Sequence, residues 1–142
     1  MSGRQRLSTA VAESAWCVVV PHHARGARQA RHRLATALAG AIPPALLADV
    51  VSVAGELVAN AVRHAEPLPG GVLRLAWRLR TSDAGRSVEV RVTDGGATQL
   101  PRPRAAGVEE PDGRGLTIVE ALADRWGVDR DGLGQSVWAE LS

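Results

Sequence analysis

A chain of 142 residues, 45% hydrophobic and 23% charged, suits one compact domain with a single core, and no run of about 18 uninterrupted apolar residues reads as a membrane span. Its 17 basic residues are all arginine and Cys17 is its single cysteine, which excludes a Walker A loop, a eukaryotic-type kinase lysine, Schiff-base chemistry, an internal disulfide and a multi-cysteine zinc site. The pI of 9.9 overstates the basic field, because arginine does not titrate away and the formal net charge is only +2.

Residues 1–12 read as a loose terminus, with two arginines but no apolar segment of the secretory kind behind them, so a cytoplasmic protein is expected. Trp16 to Val20 is a short β-branched run stopped by Pro21 and predicts an edge or first strand. Ala24 to Leu38 predicts a helix ending at Gly40. Pro43 and Pro44 open a second helix that continues to about Ala65, with Leu46, Val50, Ala54, Leu57 and Ala61 at helical spacing. The segment from Glu66 to Gly71 breaks it. Leu73, Leu75, Trp77 and Leu79 alternate with arginines, and Val88, Val90 and Val92 alternate with polar residues. Two antiparallel strands with one wet face follow from this, joined by a hairpin loop at Asp83-Ala84-Gly85. Gly95 to Gly113 shows no periodicity and contains three prolines, as a functional lid or an unstructured segment does. Leu116 to Trp126 reads as a helix, Asp131-Gly132 as a turn, and Ser136 to Leu141 as a last strand. The order predicts an α+β two-layer sandwich: a mixed, mostly antiparallel sheet covered on one face by about three helices.

Three places carry chemistry. On the second helix Asp49, Ser52, Glu56, Asn60 and Arg63 recur at spacings of three and four and share one polar stripe. A solvated face explains most such stripes, but Asn60 is a poor helix-interior residue. Glu56 and Asn60, one turn apart, bring a carboxylate and an amide oxygen to one ligand; the amide oxygen suits Mg²⁺ and the carboxylate can orient a hydroxyl. His64, one turn beyond Asn60, serves equally as a structural histidine. At the end of the second hairpin strand, Asp94 has the parity of Val88, Val90 and Val92, so its carboxylate falls on the core side, where a charge is costly without a donor. An Asp-Gly turn is the bland alternative; a ligand amine donating to Asp94, with Gly96 letting a flat ring approach, accounts better for the long loop that follows. Gly113, Arg114, Gly115 and Leu116 lead into a helix whose first backbone N–H groups can face an anion, or form an ordinary flexible helix entry.

In order, Glu-Leu-Val-Ala-Asn-Ala-Val-Arg-His (56–64), Asp-Gly-Gly (94–96), a variable loop and Gly-Arg-Gly-Leu (113–116) resemble the N, G1 and G2 boxes of the GHKL ATPase/kinase superfamily, with an ATP lid at about 97–112. Gly134-Gln135-Ser136-Val137 resembles its last strand, where a Thr or Ser often lies near the adenine-binding Asp. Leu122 to Gly127 and Val137 to Leu141 resemble the single-domain anti-sigma factor serine kinases of actinobacteria. The likeness runs from about residue 16 to the C-terminus and makes 13–142 one ATP-binding domain.

The resemblance implies ATP and Mg²⁺ as cofactors, Glu56 as general base and Asn60 as Mg²⁺ ligand. Asp94 would accept from the adenine amino group and Gly96 make room for the base. Gly113, Arg114, Gly115 and Leu116 would cradle phosphates, with Arg63 and Ser136 completing the nucleotide site. The partners implied are a sigma factor or an anti-sigma factor antagonist phosphorylated on serine; a homodimer is left open, and neither a specific nucleic acid nor a membrane is expected. A non-catalytic ATP-binding switch is the alternative. The lid, with Pro101, Arg102, Pro103 and Arg104, is idiosyncratic and lacks lysine, so triphosphate contacts there fall to Arg102, Arg104 or Arg114. No histidine-kinase dimerisation helix or receiver segment is recognisable, which argues against a complete two-component sensor. The arginines at 25, 28, 31 and 33 read as a solvated helix face, with an acidic or nucleic-acid partner as the alternative.

Overall fold

The computed structural model describes residues 11–96, 114–130 and 134–142. They form strands β1 (Val11–Pro21), β2 (Val72–Ser82), β3 (Gly85–Asp94), β4 (Arg125–Arg130) and β5 (Gln135–Leu141), with helices α1 (Ala24–Leu38), α2 (Pro44–His64) and α3 (Arg114–Leu122). The sheet order is β1-β2-β3-β5-β4, and every pairing between these strands is antiparallel.

Strand alternation decides the layering. Val18 and Val20, Leu73, Leu75 and Trp77, Val88, Val90 and Val92, and Val137, Ala139 and Leu141 all point to one face and are buried there. The register aligns them in rows: Val18, Leu75, Val92, Val137 and Val128 in one, Trp16, Trp77, Val90, Ala139 and Trp126 in the next. The helices cover this face. In α2, Val50, Val53, Ala54, Leu57 and Val58 are fully or almost fully buried, and the helix packs on α1, α3, β3 and β5. By length and composition alone α2 passes for a membrane span; its buried apolar stripe and its polar one mark it as a core helix. Pro44 sits at its first turn, where a missing N–H is harmless. In α1 a Cβ on Gly26 would overlap the Pro21 carbonyl oxygen, so only glycine lets this helix lie so close to the end of β1.

The opposite face is wet. Arg91 pairs with Asp129 at 2.7 Å, Arg125 with Glu140 at 2.8 Å and Arg80 with Glu13 at 3.2 Å. These exposed pairs organise the surface more than they stabilise it. Trp138 lies over Gly127, where a Cβ would come within 2.8 Å of its ring.

Two elements differ from the sequence expectation. The helix expected over Leu116 to Trp126 ends at Leu122, and the chain turns through Asp124, whose N–H donates to the Glu140 carbonyl at 2.8 Å, into β4. Pairing with β5 overrides local propensity there. The first strand is longer than Trp16 to Val20: Val11 and Ala12, expected in the loose terminus, pair with Ser82 and Thr81. The expected lid, Gly113 and the Asp131-Gly132 turn lie outside the described residues.

Candidate functional site

The polar stripe of α2 is not uniform. Ser52 and Arg63 are exposed, while Asp49 and Glu56 are half-buried. Asn60 is the exception: both Oδ1 and Nδ2 are buried with no hydrogen-bond partner. Leaving both ends of a buried amide unpaired costs about 1–3 kcal/mol per group, so folding does not explain an asparagine there. An orphaned hard oxygen one turn from the Glu56 carboxylate fits a cation or a ligand donor.

Beyond α2 the chain is stitched to the end of β3. The Ala65 N–H caps the helix on the Ala61 carbonyl at 3.1 Å, and Pro67 prevents the helix from continuing. The Gly95 N–H then donates to the Glu66 carbonyl at 2.7 Å, and the Glu66 N–H to the Gly96 carbonyl at 2.9 Å. A Cβ on Gly95 would overlap the Pro67 carbonyl oxygen, so this approach requires glycine. The stitch holds the last turn of α2 beside Asp94.

Asp94 is 2% exposed, on the core face as its parity requires. Its Oδ1 accepts the Gly96 N–H at 2.7 Å. Gly96 adopts φ +99°, a left-handed conformation that favours glycine, and no described atom lies within 4 Å of where its Cβ would stand. Burial pushes the Asp94 carboxyl above its ordinary value; the Gly96 N–H and the charges of His22 and Arg130 pull it back in part.

The other expected residues are distributed as follows. Arg114, Gly115 and Leu116 form the first turn of α3, and Leu116 is buried in the core, where it anchors that turn. The first N–H groups of such a helix lack intrahelical acceptors. Ser136 does not join Asp94: its hydroxyl hydrogen-bonds that of Thr93 at 2.8 Å, on the opposite face of the sheet. Gln135 takes the place instead. It is the cross-strand partner of Asp94, shares its face, is 3% exposed, and has a buried Oε1 without a partner. Gly134 precedes it, where a Cβ would overlap the Asp94 carbonyl oxygen. Sequence reasoning also missed His22, whose Nε2 donates to the Ala61 carbonyl at 2.8 Å and so ties the end of β1 to the last turn of α2. The alternation of Val137, Ala139 and Leu141 was the signal that could have found Gln135; for His22 no sequence signal existed.

Asn60 on α2 and Gln135 at the start of β5 thus carry buried polar atoms without partners, and Asp94 at the end of β3 is the cross-strand partner of Gln135, on the sheet that α2 packs against. Among the described residues, no three His, Cys, Asp or Glu side chains gather to hold a metal by themselves.

A model of the histidine kinase-like ATPase domain matches residues 20–141. No curated protein sequence matches significantly. Among solved structures, the RsbU and RsbW domains of Rv1364c from Mycobacterium tuberculosis superpose with a TM-score of 0.63 at 20% identity, a likeness of fold covering 90% of this chain. The match spans 32% of the length of that chain.

Proposed function

Since the chain belongs to the histidine kinase-like ATPase domain family, we propose that ATP with Mg²⁺ binds where α2 meets the ends of β3 and β5, and that the protein is a cytoplasmic anti-sigma factor that phosphorylates an antagonist protein on serine. The observation that carries the nucleotide reading is the Asp94 carboxylate, buried at the end of β3 next to a left-handed Gly96 whose Cβ position is open. An acceptor placed there is matched by the amino group of adenine, and the open position by its ring. The orphaned Asn60 amide would hold the Mg²⁺, which neutralises phosphate charge when bound. The first turn of α3, from Arg114 to Leu116 with Gly113 ahead of it, would receive the phosphates.

Glu56 is the base in this reading. Its half-buried carboxylate, one turn from Asn60, orients an incoming serine hydroxyl and accepts its proton. The regulatory role is supported by the order of the three motifs and by the fold likeness to a protein with an RsbW domain. In this scheme the domain holds either a sigma factor or its antagonist, and phosphorylation of the antagonist decides which. The test is transfer of radiolabelled phosphate from ATP to candidate antagonists encoded in the same genome. Transfer to one of them supports the kinase; ATP binding and partner binding without transfer to any would replace it with a non-catalytic switch.

A further inference from the structure

We propose that Gln135 is a specificity-determining residue of the nucleotide site: its amide contacts the edge of the base beside Asp94, taking one hydrogen of an exocyclic amino group whose other hydrogen goes to the Asp94 carboxylate. This role rests on the nucleotide reading above.

Gln135 opens β5, and the residues that share its face, Val137, Ala139 and Leu141, are all buried and apolar. An apolar side chain would therefore be the ordinary occupant of position 135. Instead a glutamine is 3% exposed with its Oε1 buried and unpartnered. A buried carbonyl without a donor opposes folding. The group is positioned for something the free protein does not contain.

Strand register locates that missing donor. Gln135 pairs directly with Asp94, so the two Cβ atoms stand about 5 Å apart on one face. The close approach of Gly134 to the Asp94 backbone fixes this juxtaposition. Asp94 Oδ1 already accepts from Gly96, which holds the carboxylate in one orientation. Two hydrogen-bond acceptors from adjacent strands then stand side by side, which fits the two in-plane hydrogens of an amino group. Hypoxanthine, which has an oxygen in place of that amino group, would set the oxygen against the carboxylate. It would meet the buried Gln135 Oε1 as a second acceptor in the same way. The pair therefore selects an aminopurine of the adenine kind.

Equilibrium titration of ATP and inosine triphosphate into the wild-type chain, Gln135→Leu and Gln135→Met tests this, with Met supplying a chain of similar length if the leucine variant does not fold. The expected result is a loss of ATP affinity of about five- to twentyfold in either variant, as loss of one buried hydrogen bond produces. Affinity for inosine triphosphate should change less than about threefold, so the preference for ATP shrinks. The ligand-free variants should melt at or above the wild-type temperature, because an unpartnered carbonyl has been removed. Unchanged ATP affinity in a folded variant, while Asp94→Asn loses it, would overturn the role of Gln135 and leave the nucleotide reading standing. Equal losses for both nucleotides would also overturn it, since the side chain would then merely fill space. If the wild-type chain bound neither nucleotide, the nucleotide reading would fail and this inference with it.

Discussion

The Gly95 N–H donates to the Glu66 carbonyl at 2.7 Å, and this one bond joins the exit of α2 to the turn that carries Asp94. Elements far apart in sequence are held in a fixed relation by it and its companion from Glu66 to Gly96. A methyl group on Gly95 would overlap the Pro67 carbonyl oxygen and lie 2.9 Å from that of Glu66. Both obstacles are backbone, so neither can swing aside. Gly95→Ala should therefore destabilise the domain by about 1–3 kcal/mol, the range for overpacked sites, and weaken nucleotide binding as Asp94 is displaced. Thermal melting and ATP titration of the same preparation check both.

The raised carboxyl of Asp94 makes a signed prediction about pH. Its folded value lies above the ordinary carboxylate value of about 3.9 because burial disfavours the charge. Between those two values the native state binds more protons than the unfolded state, so this group's contribution to stability falls as pH rises through that window. Asp94→Asn removes the titration. Denaturant unfolding at a series of pH values, wild type against Asp94→Asn, should show the variant gaining relative stability as pH rises from below about 4. A variant that lost relative stability over that interval would show Asp94 to be stabilised as an anion in the fold.

Much of this architecture was legible in the chain. The helical spacing of Val50, Ala54, Leu57 and Ala61 located α2, and the alternation of Leu73, Leu75 and Trp77 with arginines, and of Val88, Val90 and Val92 with polar residues, located the central hairpin. The same alternation placed Asp94 on the core face, where it lies. β4 was not legible, because it is short, includes Gly127 and owes its strand state to pairing with β5, which follows it in the chain. The resemblance points to the Ser136 hydroxyl, whereas the strand places Gln135 beside Asp94. The parity of β5 argues for Gln135, since Ser136 falls in line with Trp138 and Glu140 on the other face.

Asn60 should separate metal dependence from fold. Its amide is buried without partners, so Asn60→Ala removes two unsatisfied groups and leaves only a small space. We expect the ligand-free variant to keep its melting temperature or raise it. With Asn60 as the metal's ligand, Mg²⁺ should strengthen ATP binding to the wild-type chain and do so far less in the variant. Titrations with Mg²⁺ and with EDTA measure this; equal affinity with and without the metal in the wild type would remove the metal role from Asn60.

Glu56 should behave differently. It is half-buried on the same stripe of α2, and its proposed work is on the hydroxyl rather than on the nucleotide. Glu56→Gln should bind ATP within about twofold of wild type while phosphate transfer to the antagonist falls by about 10²–10⁴-fold, the usual cost of losing a positioned base. A comparable loss of ATP affinity and of transfer would make Glu56 a binding residue instead.

The proposed nucleotide site turns on Asp94 as an acceptor for the base, and calorimetric titration of ATP into the wild-type chain and Asp94→Asn tests that role most directly. Asparagine keeps the shape and can still accept the Gly96 N–H, but it gives up the charge-assisted bond. Removing such a bond costs about 1.5–3 kcal/mol, so ATP affinity should fall by about tenfold or more in a variant that melts at or above the wild-type temperature at neutral pH. Equal ATP affinity in wild type and folded Asp94→Asn would contradict it.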